Sequence, residues 1–142
     1  MTGSDDTSGT GNDRANVIRG NAGGNVMTGG LGADDLYSRN SGFDVDKFIY
    51  NSTGASGVTA PTMDQIYGFD PFSGGGEANW DRIDLSGLNL GAGRVKFIDL
   101  GANVNVAVNT DSDPAAEMII QVVGVGALSM ADLICRIAGH GG

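Results

Sequence analysis

The residues from which most catalytic and zinc centres are built are nearly missing from this chain, which has one cysteine, Cys135, and one histidine, His140, in 142 residues. An internal disulfide and a cysteine zinc cluster are excluded, and neither a catalytic triad nor a histidine metal site can be assembled. Cys135 lies in the run LICRIA, the setting of a small buried side chain, and His140 lies in the glycine-rich tail AGHGG. Glutamate is scarce as well: Glu77 and Glu117 are the only two among 17 acidic residues. The rest are aspartates, whose short side chain suits turns and metal loops better than a solvated helix surface. No apolar run approaches the roughly 18 residues of a membrane span, and the opening MTGSDDTSGT has neither the basic nor the apolar region of an export leader. Lysine and arginine together number 8, which leaves a formal net charge of -9. Nucleic acid and anionic membranes are therefore repelled at long range, and a cation is the natural partner.

What the chain has in excess is glycine, 25 residues of it, and the glycines are placed periodically. Three consecutive blocks of nine read GNDRANVIR from Gly11, GNAGGNVMT from Gly20 and GGLGADDLY from Gly29. Position one is always glycine, position six is Asn16, Asn25 or Asp34, and position eight is Ile18, Met27 or Leu36. Such a period implies a solenoid, each block a glycine-rich turn followed by a short strand with one inward apolar side chain. Two blocks make one flattened coil, so turns on the same edge are separated by two blocks in sequence and stack at about 4.8 Å. That is about twice the Ca²⁺ to oxygen distance of roughly 2.3–2.6 Å, so an ion between stacked turns can be held by both. Carbonyl and carboxylate oxygens in irregular geometry suit Ca²⁺ better than Mg²⁺ or zinc.

The block GGLGADDLY has every fixed place of the nonapeptide GGxGxDxUx, and the run from Gly9 to Tyr37 resembles the calcium-binding parallel β-roll of the RTX (repeats-in-toxin) family. That family includes secreted haemolysins, serralysin-type proteases, mannuronan epimerases and adhesins. The resemblance implies one ion site between the turns Gly11 to Asn16 and Gly29 to Asp34. Asp34 supplies a carboxylate there, Asn16 its amide oxygen, and Asn12, Gly29 and Leu31 backbone carbonyls. A second site on the opposite edge joins the turn Gly20 to Asn25 with Asp46 and Asp44, with Asn21 and Gly23 as carbonyl donors. Asparagine at position six of two blocks lowers the ligand charge, so one to three ions are expected. A less regular block, SGFDVDKFI, follows the insertion SRN at 38–40, which breaks the phase and suggests that the roll ends there.

Beyond Tyr50 a loop-like stretch, NSTGASGVTAPT, gives way to alternating apolar residues. Strands are expected at Asp64 to Tyr67, Arg82 to Leu85, Val95 to Asp99, Val104 to Val108 and Met118 to Val123. A short helix is expected over Ser129 to Ala138, with Ser129 as N-cap. The segments MDQIYGFD, WDRIDLSGL and VVGVGALSMADLI resemble, in this order, the β-sandwich that closes RTX rolls in serralysin-type proteases and other type I secretion substrates. The resemblance gives Asp64 and Asp81 structural roles, with Asp64 helping to close the last ion site. Asp111 and Asp113, in NTDSDPAAE, are read as a hairpin turn and not as an EF-hand loop.

The expected architecture is all-β: a short parallel β-roll over 1–50, then a C-terminal antiparallel β-sandwich cap over 51–142 with a short terminal helix. The expected function is a non-catalytic, secreted calcium-binding module. Its few position-eight side chains cannot offset the ordering entropy of a glycine-rich roll without the ion. The family adds export as an unfolded chain through a type I secretion channel, with folding in the calcium outside. Two alternatives accompany it: a self-assembling surface, filament or adhesin protein, and an accessory module of a secreted protease or polysaccharide-modifying enzyme.

Overall fold

Blocks that carry one apolar side chain each wind into two facing sheets. The computed structural model describes residues 7–38, 45–59, 61–71, 80–88, 90, 94–110 and 115–135. In the first part are β1 (Thr7–Thr10), β2 (Val17–Arg19), β3 (Asn25–Thr28), β4 (Asp35–Tyr37) and β5 (Lys47–Ile49). They are followed by β6 (Asp64–Tyr67), β7 (Arg82–Asp84), β8 (Val95–Asp99), β9 (Asn103–Val108), β10 (Met118–Val123) and β11 (Leu133–Ile134). One sheet has the order β1-β3-β5-β7-β11 and is parallel throughout. The other has the order β2-β4-β6-β10-β9-β8, parallel as far as β10 and antiparallel from there.

Strand register places the position-eight side chains in two rows. Ile18, Leu36 and Ile66 stand side by side, and Val122 and Val104 continue their row into the antiparallel strands. Met27, Phe48, Ile83 and Leu133 form the row of the opposite sheet. Met27, Leu36, Phe48, Ile66, Ile83 and Val122 are all completely buried, so the two rows are the core. Phe69 packs on Phe48 with ring centroids 6.0 Å apart. No helix among the described residues is long and apolar enough to cross a membrane.

Two expectations are corrected. The roll does not end at the insertion after Ser38: β5 pairs with β3 and then β7 with β5, while β6 pairs with β4. An insertion lengthens a loop, but the short segment Asp46-Lys47-Phe48 still enters the ladder in the register of its predecessors. Both sheets consequently run across residue 50 without interruption. The expected α-helix from Ser129 is, in its described part, a single 3-10 turn over Met130–Asp132. Its capping box is present: Asp132 Oδ2 accepts from Ser129 N–H at 2.8 Å, and Ser129 Oγ accepts from the first-turn Ala131 N–H at 3.3 Å. The chain then turns extended because Leu133 completes the core row beside Ile83. Residues 136–138 lie outside the described residues.

Candidate metal centre

Stacked turns form the two long edges of the roll. The turn from Gly29 to Asp34 lies on the turn from Gly11 to Asn16, with Gly11 N–H donating to the Thr28 carbonyl at 2.8 Å. Gly30 (φ +88°) and Gly32 (φ +91°) adopt left-handed backbone conformations, and a Cβ on them would come within 2.6 Å of the Asn12 carbonyl oxygen and 2.8 Å of the Arg14 carbonyl carbon. Only glycine satisfies both the φ and the closeness.

Position six builds a column along each edge. On the first, Asn16 Oδ1 accepts from Asn12 N–H at 2.8 Å, Asp34 Oδ1 from Asn16 N–H at 2.8 Å, and Asp64 Oδ1 from Asp34 N–H at 2.8 Å. Ser56 Oγ closes this column by accepting from Asp64 N–H at 2.7 Å. On the second, Asn25 Oδ1 accepts from Asn21 N–H at 2.9 Å, Asp46 Oδ1 from Asn25 N–H at 2.7 Å, and Asp81 Oδ1 from Asp46 N–H at 2.9 Å. Asp81 Oδ2 also accepts from Asp70 N–H at 2.9 Å, and the Ser38 hydroxyl lies 2.6 Å from Asp46 Oδ2 and 3.0 Å from Asp81 Oδ2.

The asparagine and aspartate turns differ chemically. Asn16 pairs reciprocally with Asn12, whose Oδ1 accepts from Asn16 Nδ2 at 3.1 Å, and Asn25 pairs in the same way with Asn21 at 2.7 Å. Asn12 and Asn21 each accept one further turn N–H, from Arg14 at 2.9 Å and Gly23 at 3.0 Å. Two amides thus close each of these turns with neutral groups. Asp34 and Asp64 have no such counterpart: both are completely buried and Oδ2 of each lacks a hydrogen-bond partner of good geometry, although the Tyr50 hydroxyl lies close enough to Asp64 to favour its charged form. A buried carboxylate oxygen in that condition is costly unless a proton or a cation joins it. Accordingly burial pushes the Asp34 carboxyl up to about 6, against the Asn16 N–H bond that favours its charged form. It pushes Asp64 up to about 7, with the neighbouring Asp34 charge adding to the rise. Asp81 is also raised to about 7, first by burial and then, more weakly, by the Asp46 charge. Tyr50, buried beside Asp64, is raised well above its ordinary value by burial and then by that carboxylate's charge.

This donor set fits a hard, oxygen-seeking cation. Asp34 and Asp64 bring two unpartnered carboxylate oxygens, and the stacked turns bring backbone carbonyls. No group of three or more histidine, cysteine, aspartate or glutamate side chains converges on one point among the described residues. Main-chain carbonyls, side-chain amides or water would therefore complete any coordination sphere.

Of the residues proposed from sequence, Asn12, Asn16, Gly29, Leu31, Asp34 and Asp64 fall on the first edge, and Asn21, Gly23, Asn25 and Asp46 on the second. Leu31 is 44% exposed at the tip of its turn, and the Asp34 carboxylate folds against Gly29. The Asn16 amide oxygen is directed to Asn12 within its own turn. Asp44, Asp111, Asp113 and His140 lie outside the described residues. Ser38, Ser56 and Tyr50 were not anticipated, and Asp81 was given only a structural role. Asp81 could have been found from one signal, the recurrence of aspartate two places before a buried apolar residue in Asp34-Asp35-Leu36, Asp46-Lys47-Phe48, Asp64-Gln65-Ile66 and Asp81-Arg82-Ile83.

Fold and site together define a parallel β-roll with carboxylate-bearing turn columns, extended by an antiparallel three-stranded ribbon. Two solved structures, both from the mannuronan C5-epimerase of Azotobacter vinelandii, share this fold. The AlgE6R2 subunit matches over 99% of this chain and 94% of its own, with 22% identity and a TM-score of 0.66. The AlgE6R3 subunit matches over 92% and 78%, with 26% identity and a TM-score of 0.58. No protein-family model matches the chain, and neither does any curated protein sequence.

Proposed function

We propose that this chain is a non-catalytic calcium-binding module that folds when it meets calcium outside the cell. The observation that carries this reading is the pair of buried, unpartnered carboxylate oxygens of Asp34 and Asp64 between stacked turns. Bound there, a calcium ion supplies positive charge and ties successive turns together. Asp34 and Asp64 would hold it on the first edge, with Asp46 and Asp81 offering carboxylates on the second. The same side chains already accept the N–H groups of the neighbouring coil, so holding the ion and fixing the register of the roll are one task.

Ion binding confined to the folded state contributes about 2.7 kcal/mol per site at 100 times its Kd, which is large against the stability of a small domain. Extracellular calcium modules typically bind in the 10⁻⁴ to 10⁻³ M range, so such a chain stays loose in a calcium-poor cytoplasm and folds after export, for which a type I channel is the route the RTX resemblance implies. Titrating Ca²⁺ into chelated protein should raise β-structure in the circular dichroism spectrum with a midpoint in that range. A spectrum that is fully folded in chelator and unmoved by calcium contradicts the proposal.

A second reading is favoured by the match of almost the whole chain to subunits of a mannuronan C5-epimerase. In it the module accompanies a polysaccharide-modifying enzyme. Appending the chain to such an enzyme should alter its action on polymer and leave its action on short oligomers unchanged.

A further inference from the structure

Two of the chain's three tyrosines face each other on the outside of the roll. Leu36 and Ile66 are completely buried, so the next residue of each strand, Tyr37 on β4 and Tyr67 on β6, projects outward. The strands are parallel and the tyrosines are partners in register, so both side chains leave the sheet in the same direction. Their rings stack with centroids 4.5 Å apart and 10° between the planes. The Arg19 guanidinium lies 4.2 Å from the Tyr37 ring centre. Because β2 and β6 flank β4, Arg19 covers the face of Tyr37 that is turned away from Tyr67.

Both stacked tyrosines are half-buried, and a cleft of about 250 Å³ lined by Arg19, Gly20, Tyr37 and Ser38 opens beside them. The third tyrosine, Tyr50, is 1% exposed inside the core. The two phenols that a reagent in solution reaches are therefore the two that stack. Tyr67 Oη donates to Gln65 Oε1 at 2.7 Å. Burial raises the Tyr67 phenol above its ordinary value, and the charges of Asp35 and then Tyr37 add to the rise. It is a neutral phenol at neutral pH, and oxidation takes an electron and a proton from it together. Phenylalanine would stack as well at either place; the hydroxyl is what makes the pair oxidisable.

The geometry suits the coupling of two phenoxyl radicals. Planes this nearly parallel bring the ring carbons ortho to the two hydroxyls to a separation comparable with the centroid distance. Reacting atoms need to lie roughly 3–3.5 Å apart, so a ring shift of about 1 Å completes the approach. Both strands are held by the ladder on either side, which keeps the two rings together while the radicals form.

We propose that Tyr37 and Tyr67 are a modification site, joined as an intramolecular dityrosine when the folded chain meets a peroxidase and hydrogen peroxide. Each phenol gives one electron and one proton to the oxidant, and the two radicals form one carbon–carbon bond between ortho carbons. The hydrogens on those carbons leave as protons while the two oxygens regain protons, which restores both phenols. In sum the chain loses two hydrogen atoms and one peroxide becomes two waters. The bond ties β4 to β6 and closes a loop of about 30 residues, which restricts the unfolded chain as a disulfide does. At the head of the same strands Asp34 N–H donates to Asp64 Oδ1, so the link clamps the turns that the proposed ion joins. The link itself needs only the fold; its bearing on calcium rests on the proposed ion site.

The test treats the full chain, dilute and in saturating calcium, with a peroxidase and limiting hydrogen peroxide. Dityrosine fluorescence should appear in monomeric protein, and a digest should yield one joined fragment that contains residues 37 and 67 and lacks two hydrogens. The same treatment in urea should give at least tenfold less of that fragment, because the unfolded chain no longer holds the rings together. Tyr37→Phe and Tyr67→Phe, which keep the ring stack, should each abolish the product, and Tyr50→Phe should leave it unchanged. The cross-linked chain should melt several degrees higher than the parent and keep more β-structure when calcium is chelated. Folded monomer that forms no dityrosine overturns the proposal, as does an equal yield in urea or a product found only between chains. Persistence of the product in Tyr67→Phe overturns it as well. A parent chain already fully folded in chelator that still links residues 37 and 67 removes the calcium reading and leaves this one standing.

Discussion

Asn16 and Asp34 occupy the same place in successive turns of one edge, and they differ in side-chain charge. The amide of Asn16 closes its own turn by pairing with Asn12, whereas Asp34 keeps one oxygen buried and unpartnered. Asp34→Asn therefore removes a buried charge while retaining an acceptor for the Asn16 N–H. The chelated variant should be more stable than the parent toward urea, and its calcium midpoint should rise at least tenfold. Loss of stability in chelator together with an unchanged midpoint would show that Asp34 serves only as a hydrogen-bond acceptor. The raised carboxyls set a pH dependence of the same origin. Asp34 at about 6, and Asp64 and Asp81 at about 7, hold protons in the folded calcium-free chain that an unfolded aspartate, with its value of about 3.9, has already released. Their contribution is complete below about pH 4 and is lost as pH rises through the folded values of about 6 to 7. Urea midpoints of calcium-free protein should accordingly fall from pH 5 to pH 8, and the stabilisation gained from calcium should grow over the same interval. Asp34 was legible in the sequence because all six turn positions around it keep the nonapeptide pattern. Asp81 was less so, since FDPFSGGGEANW separates it from the preceding block and removes the phase.

At the scale of the element, the unit is a turn that tolerates no side chain followed by a strand of three or four residues. Gly32 combines φ +91° with an approach to the Arg14 backbone, so Gly32→Ala meets both a left-handed penalty of about 1–2 kcal/mol and a backbone collision. Thermal melts in saturating calcium should show a fall of several degrees, and a melt identical to the parent would mean that the turns are not stacked as described. The strands themselves were readable, because alternation in VNVAV and MIIQVV and the aspartate-x-apolar segments fix both period and inward face. The terminal helix was misread for a definite reason. Ser129 and Asp132 form the capping box that ordinarily opens an α-helix, but Leu133 is needed beside Ile83, and sheet pairing ends the helix after one turn.

Across the whole molecule, the two sheets bind the repeats and the C-terminal strands into common core rows, from Ile18 through Leu36, Ile66 and Val122 to Val104 and from Met27 through Phe48 and Ile83 to Leu133. Sequence composition suggested a change at residue 50, because the loop there is long and its chemistry differs. What composition could not convey is that strands on either side of the loop share one ladder, since register between distant segments is a tertiary property. The same continuity would link the proposed ion binding on the edges to the order of the outer face. Turns fixed by calcium would hold β4 and β6, and those strands carry Tyr37, Tyr67 and Gln65. The central claim is that an ion joins the stacked turns at Asp34 and Asp64. It is tested most directly by titrating Ca²⁺ into chelated, isotope-labelled protein and following backbone amides by NMR. The account predicts that Asn16 and Asp34, whose N–H groups donate to Asp34 and Asp64, show among the largest calcium-dependent shifts and become protected from exchange at the same calcium concentration. Amides of Asn16 and Asp34 that stay where they were, with any calcium response confined to other residues, would contradict it.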